Sequence, residues 1–69
     1  MMRYKVRCNY VQGRWAGKQI VPVSDTYETY ETIVAVYNED RIFGVLLSEI
    51  LKKTNLKCVK VVNITYTLL

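Results

Sequence analysis

Residues able to perform chemistry are scarce in this 69-residue chain, which contains no histidine and two cysteines. The commonest general base and metal ligand is therefore missing, and four zinc ligands cannot be assembled from Cys and His. Cys8 and Cys58 fall on apolar-side positions of predicted strands, which favours buried thiols over a redox pair. Ser24 and Ser48 have only lysines and carboxylates as candidate bases. The sequence therefore predicts a non-enzymatic protein that uses no metal and no cofactor.

One segment superficially resembles a phosphate-binding loop, because residues 13–18 spell GRWAGK. The segment is one residue too short between its glycines, and Gln19 stands where a Ser or Thr should bind magnesium. It also precedes an apparent edge strand instead of a helix. We therefore reject a nucleotide site at this position.

Charge is unevenly distributed along the chain. All six acidic residues lie between Asp25 and Glu49, whereas nine of the ten basic residues lie outside that stretch, and the net charge is +4. Such a distribution is typical of a surface that binds polyanions, of a self-complementary oligomer, or of strands paired by opposite charge. Nucleic acids and anionic protein surfaces are therefore both candidate partners.

The amino-terminal half of the chain has the periodicity of strands. Residues 3–11 alternate strictly between apolar and polar side chains, which predicts a half-buried antiparallel strand. Residues 12–17 predict a turn or loop with Arg14 and Trp15 at its tip. A short strand at 20–23 contains a proline, which confines it to a sheet edge.

The middle of the chain predicts a strand followed by a helix. Residues 26–32, TYETYET, have a period of three that predicts a strand entry, bulge or loop, and the β-branched run at 33–37 predicts a buried strand. Asn38 is a good helix N-cap, and apolar residues then recur at helical spacing over 42–51. Gly44 inside this helix lowers the stability of the helix by about 1 kcal/mol relative to Ala. We therefore expect that another group approaches this position too closely for a larger side chain.

A last strand is predicted at 57–68, with apolar residues on both of its faces. Together these elements predict one α+β domain over residues 1–69. In it a three- or four-stranded, mainly antiparallel sheet is covered on one face by a single helix, in the order β-(β)-β-α-β. A 69-residue chain has little core to spare, so association with a partner is expected to add stability.

The second face of such a sheet is left uncovered by a lone helix. We expect Val59 and Val61 on that face, together with either Ile33 and Ala35 or Val34 and Val36. An apolar patch with a polar rim is typical of an interaction surface, which here predicts a homodimer or partner interface. The alternative is that residues 12–30 fold back over the patch.

The function favoured by these observations is that of a small binding or inhibitor protein acting through a protein–protein surface. Aromatic residues and arginine dominate the energetics of such interfaces. The residues predicted to bind a protein partner are Arg14, Trp15, Lys18, Tyr27, Tyr30, Val59 and Val61. For Trp15 a position in the core beneath a loop is the alternative.

Two other classes of function compete with this prediction. In the first, the protein binds nucleic acid through a basic strand face with nearby aromatic residues; that face comprises Arg3, Lys5, Arg7, Lys57 and Lys60. A solvated strand face explains the first three of these without any ligand. In the second, the protein is a structural or assembly subunit whose acidic block meets a basic block of another copy.

The cellular setting is inferred from what the sequence lacks. No segment approaches the ~20 apolar residues of a membrane span. The first residues interrupt apolar positions with charge, unlike a signal peptide, so we expect a cytoplasmic protein with reduced thiols. In size, in its lack of catalytic groups and in composition, the chain resembles small accessory proteins that phages and mobile elements direct at host machinery, although no specific motif supports this.

Overall fold

The computed structural model describes all 69 residues and confirms the predicted α+β class. Four strands form one antiparallel sheet, and one helix packs on it. The strands are β1 (Met2–Ala16), β2 (Gln19–Pro22), β3 (Glu28–Val36) and β4 (Val59–Leu68). A 3-10 turn at Glu39–Arg41 leads into the helix α1 (Ile42–Thr54).

Strand β1 is the centre of the sheet and pairs antiparallel with all three other strands. Gln12 accepts a backbone hydrogen bond from Val23, whereas Gly13 donates one to Cys58. Because neighbouring residues of a strand direct their backbone groups to opposite edges, β2 and β3 share one edge of β1 and β4 occupies the other. The outer edges of β3 and β4 therefore have no strand beside them.

The amino-terminal hairpin is longer than predicted. β1 continues through Ala16, and the chain turns at Gly17, whose φ of 65° lies in the left-handed region that glycine tolerates. Arg14 and Trp15 therefore lie on a strand, and their predicted place at a loop tip is wrong. Likewise, β3 begins at Glu28, because pairing with β1 overrides the three-residue period of the TYETYET segment.

The helix is close to its predicted form. Asn38 caps the 3-10 turn and accepts a hydrogen bond from the Asp40 backbone N–H at 3.0 Å, whereas α1 begins three residues later than predicted, without a side-chain cap. Asn55 ends the helix with a left-handed φ of 61°, as its position after the last turn predicts. Ile42, Leu46 and Ile50, spaced four apart, are buried. The fully buried core consists of Val6, Cys8, Val34, Leu46 and Ile50. The expected close approach at Gly44 is wrong, since nothing lies within 4 Å of the position of an added Cβ.

A β-bulge in β4 changes which side chains face the helix. The register with β1 shifts between Arg7 and Asn9, and Asn63 adopts a φ of 55°. An extra residue in one strand reverses the alternation beyond it. Val59 and Val61 consequently lie on the helix side of the sheet, where Val59 is 3% exposed, and their predicted position on the uncovered face is wrong.

The two faces of the sheet are now defined. The covered face lies beneath α1 and includes Tyr4, Val6 and Cys8 of β1. The open face carries the intervening residues of β1 and, because directly opposed residues point the same way, their partners on β3 and β4. On β3 these are Ile33 and Ala35, which settles the predicted choice between that pair and Val34 with Val36.

Candidate functional site

Three distant segments of the chain meet beside the first residues of β4 and enclose a groove of about 540 Å³. We call it the hairpin groove, because the β1–β2 hairpin forms one of its walls. Phe43, from the first turn of α1, also lines the groove. The lining residues are Trp15, Lys18, Gln19, Ile20, Phe43, Val59, Lys60 and Val61.

Two aromatic side chains in the groove are largely exposed. Trp15 is 64% exposed and Phe43 is 49% exposed. Large apolar side chains gain most when a partner removes them from water, and Trp is among the residue types enriched at interface hot spots. The alternative placement of Trp15 in the core is thereby excluded.

Gly13 allows the hairpin to pack against β4. An added Cβ at this residue would lie 2.6 Å from Cγ2 of Ile20 and 3.2 Å from the backbone nitrogen of Lys60. Any larger residue would push the hairpin and β4 apart. The sequence shows Gly13 only as a turn signal, because the close approach is made by residues far along the chain.

The groove is lined by positive charge alone. Lys18 and Lys60 contribute ammonium groups, and no carboxylate lines the groove. Elsewhere in the protein the one ion pair joins Lys5 to Glu31 at 3.6 Å, with both side chains about half exposed. An incoming group with negative charge would therefore meet no acidic side chain in the groove.

The structure unites some of the residues predicted to bind a protein and separates others. Trp15, Lys18, Val59 and Val61 come together in the groove, although the side chain of Val59 is buried in the core. Arg14 is exposed but does not line the groove. Sequence reasoning missed Ile20 and Phe43 as members of the site, because their apolar character alone indicated only a strand and a helix.

The two predicted tyrosines lie elsewhere. Tyr27 is half-buried in the segment between β2 and β3. Tyr30 is on the covered face and donates a hydrogen bond to the carboxylate of Glu49 at 3.1 Å, while Lys53 Nζ lies 5.1 Å from the centre of its ring. Burial, followed by the hydrogen bond to Glu49, raises the pKa of Tyr30. These contacts tie β3 to α1.

The open face is more polar and more basic than the sequence predicted. Arg3, Lys5 and Arg7 project from β1, and Lys60 is directly opposed to Val11 on the same face. Glu31 is the acidic side chain among them. Four basic residues and one acidic residue leave a net charge of +3 on this face. Lys57, the fifth member of the predicted nucleic-acid set, precedes β4 and stands apart.

A short polar network crosses the open face. The amide of Asn63 donates to Asn9 at 3.2 Å, and the amide of Asn9 donates to Thr29 at 3.1 Å. The three residues come from β4, β1 and β3 respectively. Apolar exposure on this face is limited to scattered residues such as Ile33, so the predicted apolar patch with a polar rim is wrong.

The cysteines do not form a pair. Cys8 is buried on the covered face and burial raises the pKa of its thiol, while Cys58 is half-buried; both are free thiols. Cys58 is opposite Gly13, five residues along β1 from Cys8, which corresponds to ~16 Å at the rise of a strand. No group of three or more His, Cys, Asp or Glu residues could hold a metal ion.

The helix of this chain is too short to traverse a membrane. Comparison with protein-family models, with curated proteins and with solved structures gave no match. Function must therefore be inferred from the positions and chemistry of the residues described above.

Proposed function

We propose that this protein is a non-enzymatic binding protein that holds a partner protein in the hairpin groove. The observation that carries the proposal is that two exposed aromatic side chains, Trp15 and Phe43, line the same groove. A partner side chain bound in the groove would remove apolar surface of both from water. Hot spots of this kind supply most of the binding energy of protein interfaces.

The lining of the groove indicates the chemistry of the partner. Apolar side chains line more than half of it, whereas Gln19 is polar and Lys18 and Lys60 supply positive charge without a carboxylate in the groove. The best match is a protein segment with a large apolar side chain flanked by Asp or Glu. Charge of this kind accelerates encounter and selects the partner, while the buried apolar group contributes most of the affinity.

We further propose that binding is the whole of the activity. By covering a surface of a cytoplasmic protein, a domain of this size would act as an inhibitor. This is the mode of action expected of a small phage or mobile-element accessory protein directed at host machinery. A protein interface of ordinary size buries about 800 Å² on each partner, which a chain of 69 residues can supply.

The test is a comparative pull-down from a nuclease-treated extract of the expressing cells. The immobilised wild-type protein should retain a specific protein. Trp15→Ala should reduce that retention at least about tenfold, as expected for loss of a hot-spot aromatic. Tyr37→Ala is the matched control, because Tyr37 is an aromatic residue that is 78% exposed and lies outside the groove. Equal retention by both variants would contradict the assignment of the groove.

A second candidate function is binding of single-stranded nucleic acid on the open face. The observation that favours it is the alignment of Arg3, Lys5 and Arg7 on the central strand, with Lys60 on the same face. Phosphate contacts from such a stripe would neutralise a bound strand. Trp15 is the one aromatic residue at the open-face positions of β1, β3 and β4, and it lies at the far end of β1 from Arg3, Lys5 and Arg7. Because the basic stripe itself has no aromatic side chain on which successive bases could stack, the protein-binding groove remains the first proposal.

Salt dependence tests this second candidate. Anisotropy of a labelled single-stranded oligonucleotide should show affinity falling steeply with salt, and Arg3→Ala with Arg7→Ala should reduce the logarithmic slope by about 0.7 for each lost contact. Lys52→Ala is the control, since Lys52 is an exposed cation on the helix. If neither Arg3→Ala nor Arg7→Ala altered the slope of affinity against salt, the open face would not be a nucleic-acid site.

A further inference from the structure

The outer edge of β4 is a long strand edge without charge. From residue 61 to residue 69 the chain reads VVNITYTLL, its longest stretch without a charged residue. Natural sheets protect free edges with lysine, proline, inward-pointing charges or a covering element. Here β1 is the only strand that pairs with β4, and Lys60 protects only the beginning of the edge.

Beyond the bulge at Asn63, the edge presents free backbone groups at regular intervals. Leu69 donates its N–H to the carbonyl of Arg3, so Thr67 and Thr65 also direct their backbone groups toward β1. By the same alternation, the N–H and C=O groups of Tyr66 and Leu68 point away from the sheet. This part of the edge is ready to pair with another strand.

An apolar strip accompanies this edge on the covered face. Tyr66 and Leu68 are 46% and 57% exposed. Tyr66 packs edge-on against Tyr4 of β1 with ring centres 5.7 Å apart, which fixes the position of its ring on the covered face. Phe43 lies in the hairpin groove beside Val59, Lys60 and Val61 and is therefore not part of this strip.

We propose that a second copy of this chain docks on this edge, with residues 64–68 of the two copies paired antiparallel. A two-fold axis perpendicular to the sheet relates two strands paired in this way. It would join the two sheets edge to edge and place both helices on the same side. The apolar strips of the two copies would then face each other between the helices.

Charge favours a second copy at this edge and opposes it on the open face. Pairing centred on residues 64–68 brings no like charges together, because each Lys60 lies beyond the paired segment. Docking two open faces would instead appose two surfaces of net charge +3, as counted above, which is repulsive. The edge is therefore the surface on which two molecules of this basic protein can meet without repulsion.

The expected interface is small. A buried aromatic side chain removes about 150–250 Å² from water, so the exposed half of Tyr66 contributes ~100 Å² per copy. Leu68 and the strand backbone add to this, yet the total stays below the ~800 Å² per partner of a standard interface. The association should therefore depend on concentration.

Sedimentation velocity over a range of concentrations provides the first test. The wild-type mass should rise from monomer to dimer, and Leu68→Lys should keep the protein monomeric by adding a charge to the edge. Val23→Lys is the matched control, because it makes the same change at an apolar residue that is 52% exposed and outside the edge. Circular dichroism checks that both variants are folded.

Hydrogen exchange of the wild-type protein provides a test that needs no variant. The amides of Tyr66 and Leu68 should become protected as the concentration rises, because only the second copy supplies them with acceptors. The amides of Thr65 and Thr67 should be protected at every concentration, since they bond to β1.

Three outcomes would overturn this proposal. The first is a protein that stays monomeric at millimolar concentration. The second is a dimer that Leu68→Lys leaves intact or that Val23→Lys disrupts equally. The third is protection of Tyr66 and Leu68 that appears only when a foreign protein is added, which would assign the edge to that partner.

Discussion

Between Arg3 and Cys8 the two faces of β1 differ in burial and in charge, although they are built from alternate residues of one strand. Tyr4, Val6 and Cys8 are buried on the covered face, whereas Arg3 and Lys5 are exposed on the open face. The covered face contributes stability through burial of apolar surface, and the open face contributes charge. We therefore expect changes to the buried side chains of the covered face to alter folding, and changes to the exposed side chains of the open face to alter mainly interactions.

The largest effect is expected from a truncation on the covered side. Leu46 is completely buried, so Leu46→Ala should lower the free energy of unfolding by about 2–5 kcal/mol. Ile33→Ala on the open face is the control: it removes an apolar side chain that is 52% exposed and should cost less than about 1 kcal/mol. Urea denaturation measures both. Similar losses in the two variants would erase the distinction between the faces.

The next largest effect on stability is expected at the bulge, because the bulge determines whether a β4 side chain lies on the covered face or on the open face. Asn63→Val places a β-branched residue at a φ of 55° and should destabilise the fold by about 1–3 kcal/mol. Asn63→Gly removes the same side-chain hydrogen bond to Asn9 but tolerates the backbone, so it should cost clearly less. Thermal unfolding of the pair separates backbone strain from the lost hydrogen bond. Equal losses would show that the conformation of Asn63 does not matter.

A smaller change, an increase in the free energy of unfolding, is expected from a substitution on the solvent side of α1. Gly44→Ala should raise the free energy of unfolding by at most about 1 kcal/mol, because alanine restricts the unfolded chain and meets nothing within 4 Å. Differential scanning calorimetry should show a higher Tm. A lower Tm would reveal a constraint at Gly44 that the packing does not show.

The last prediction concerns the contribution of Cys8 to the pH dependence of stability, which is absent at neutral pH. Burial raises the pKa of Cys8 in the folded protein above its ordinary value of about 9, so the unfolded chain loses this proton first as the pH rises. The stability contributed by Cys8 is therefore complete below pH 9 and is lost as the pH rises through the folded pKa. Urea midpoints between pH 7 and pH 10 should fall, and less so in Cys8→Ala. Identical pH profiles would contradict this assignment.

Much of the fold was predictable because its signals are local. The alternation along β1 and the capped apolar period of α1 depend on neighbouring residues, and both elements form close to where they were predicted. The lack of histidine is likewise a property of composition. Of the residues that line the groove, Trp15, Lys18, Val59 and Val61 are among those that the sequence predicts to bind a protein.

What the tertiary structure decided is which distant residues meet. The bulge at Asn63 depends on the register of β4 against β1, and it moved Val59 and Val61 to the covered face. Phe43 joined Trp15 in one groove only because the helix and the hairpin both pack beside β4. Amino-acid type and spacing determined the elements and the charge. Pairing between residues far apart in the chain determined the faces, the groove and the free edge, because no local pattern encodes register.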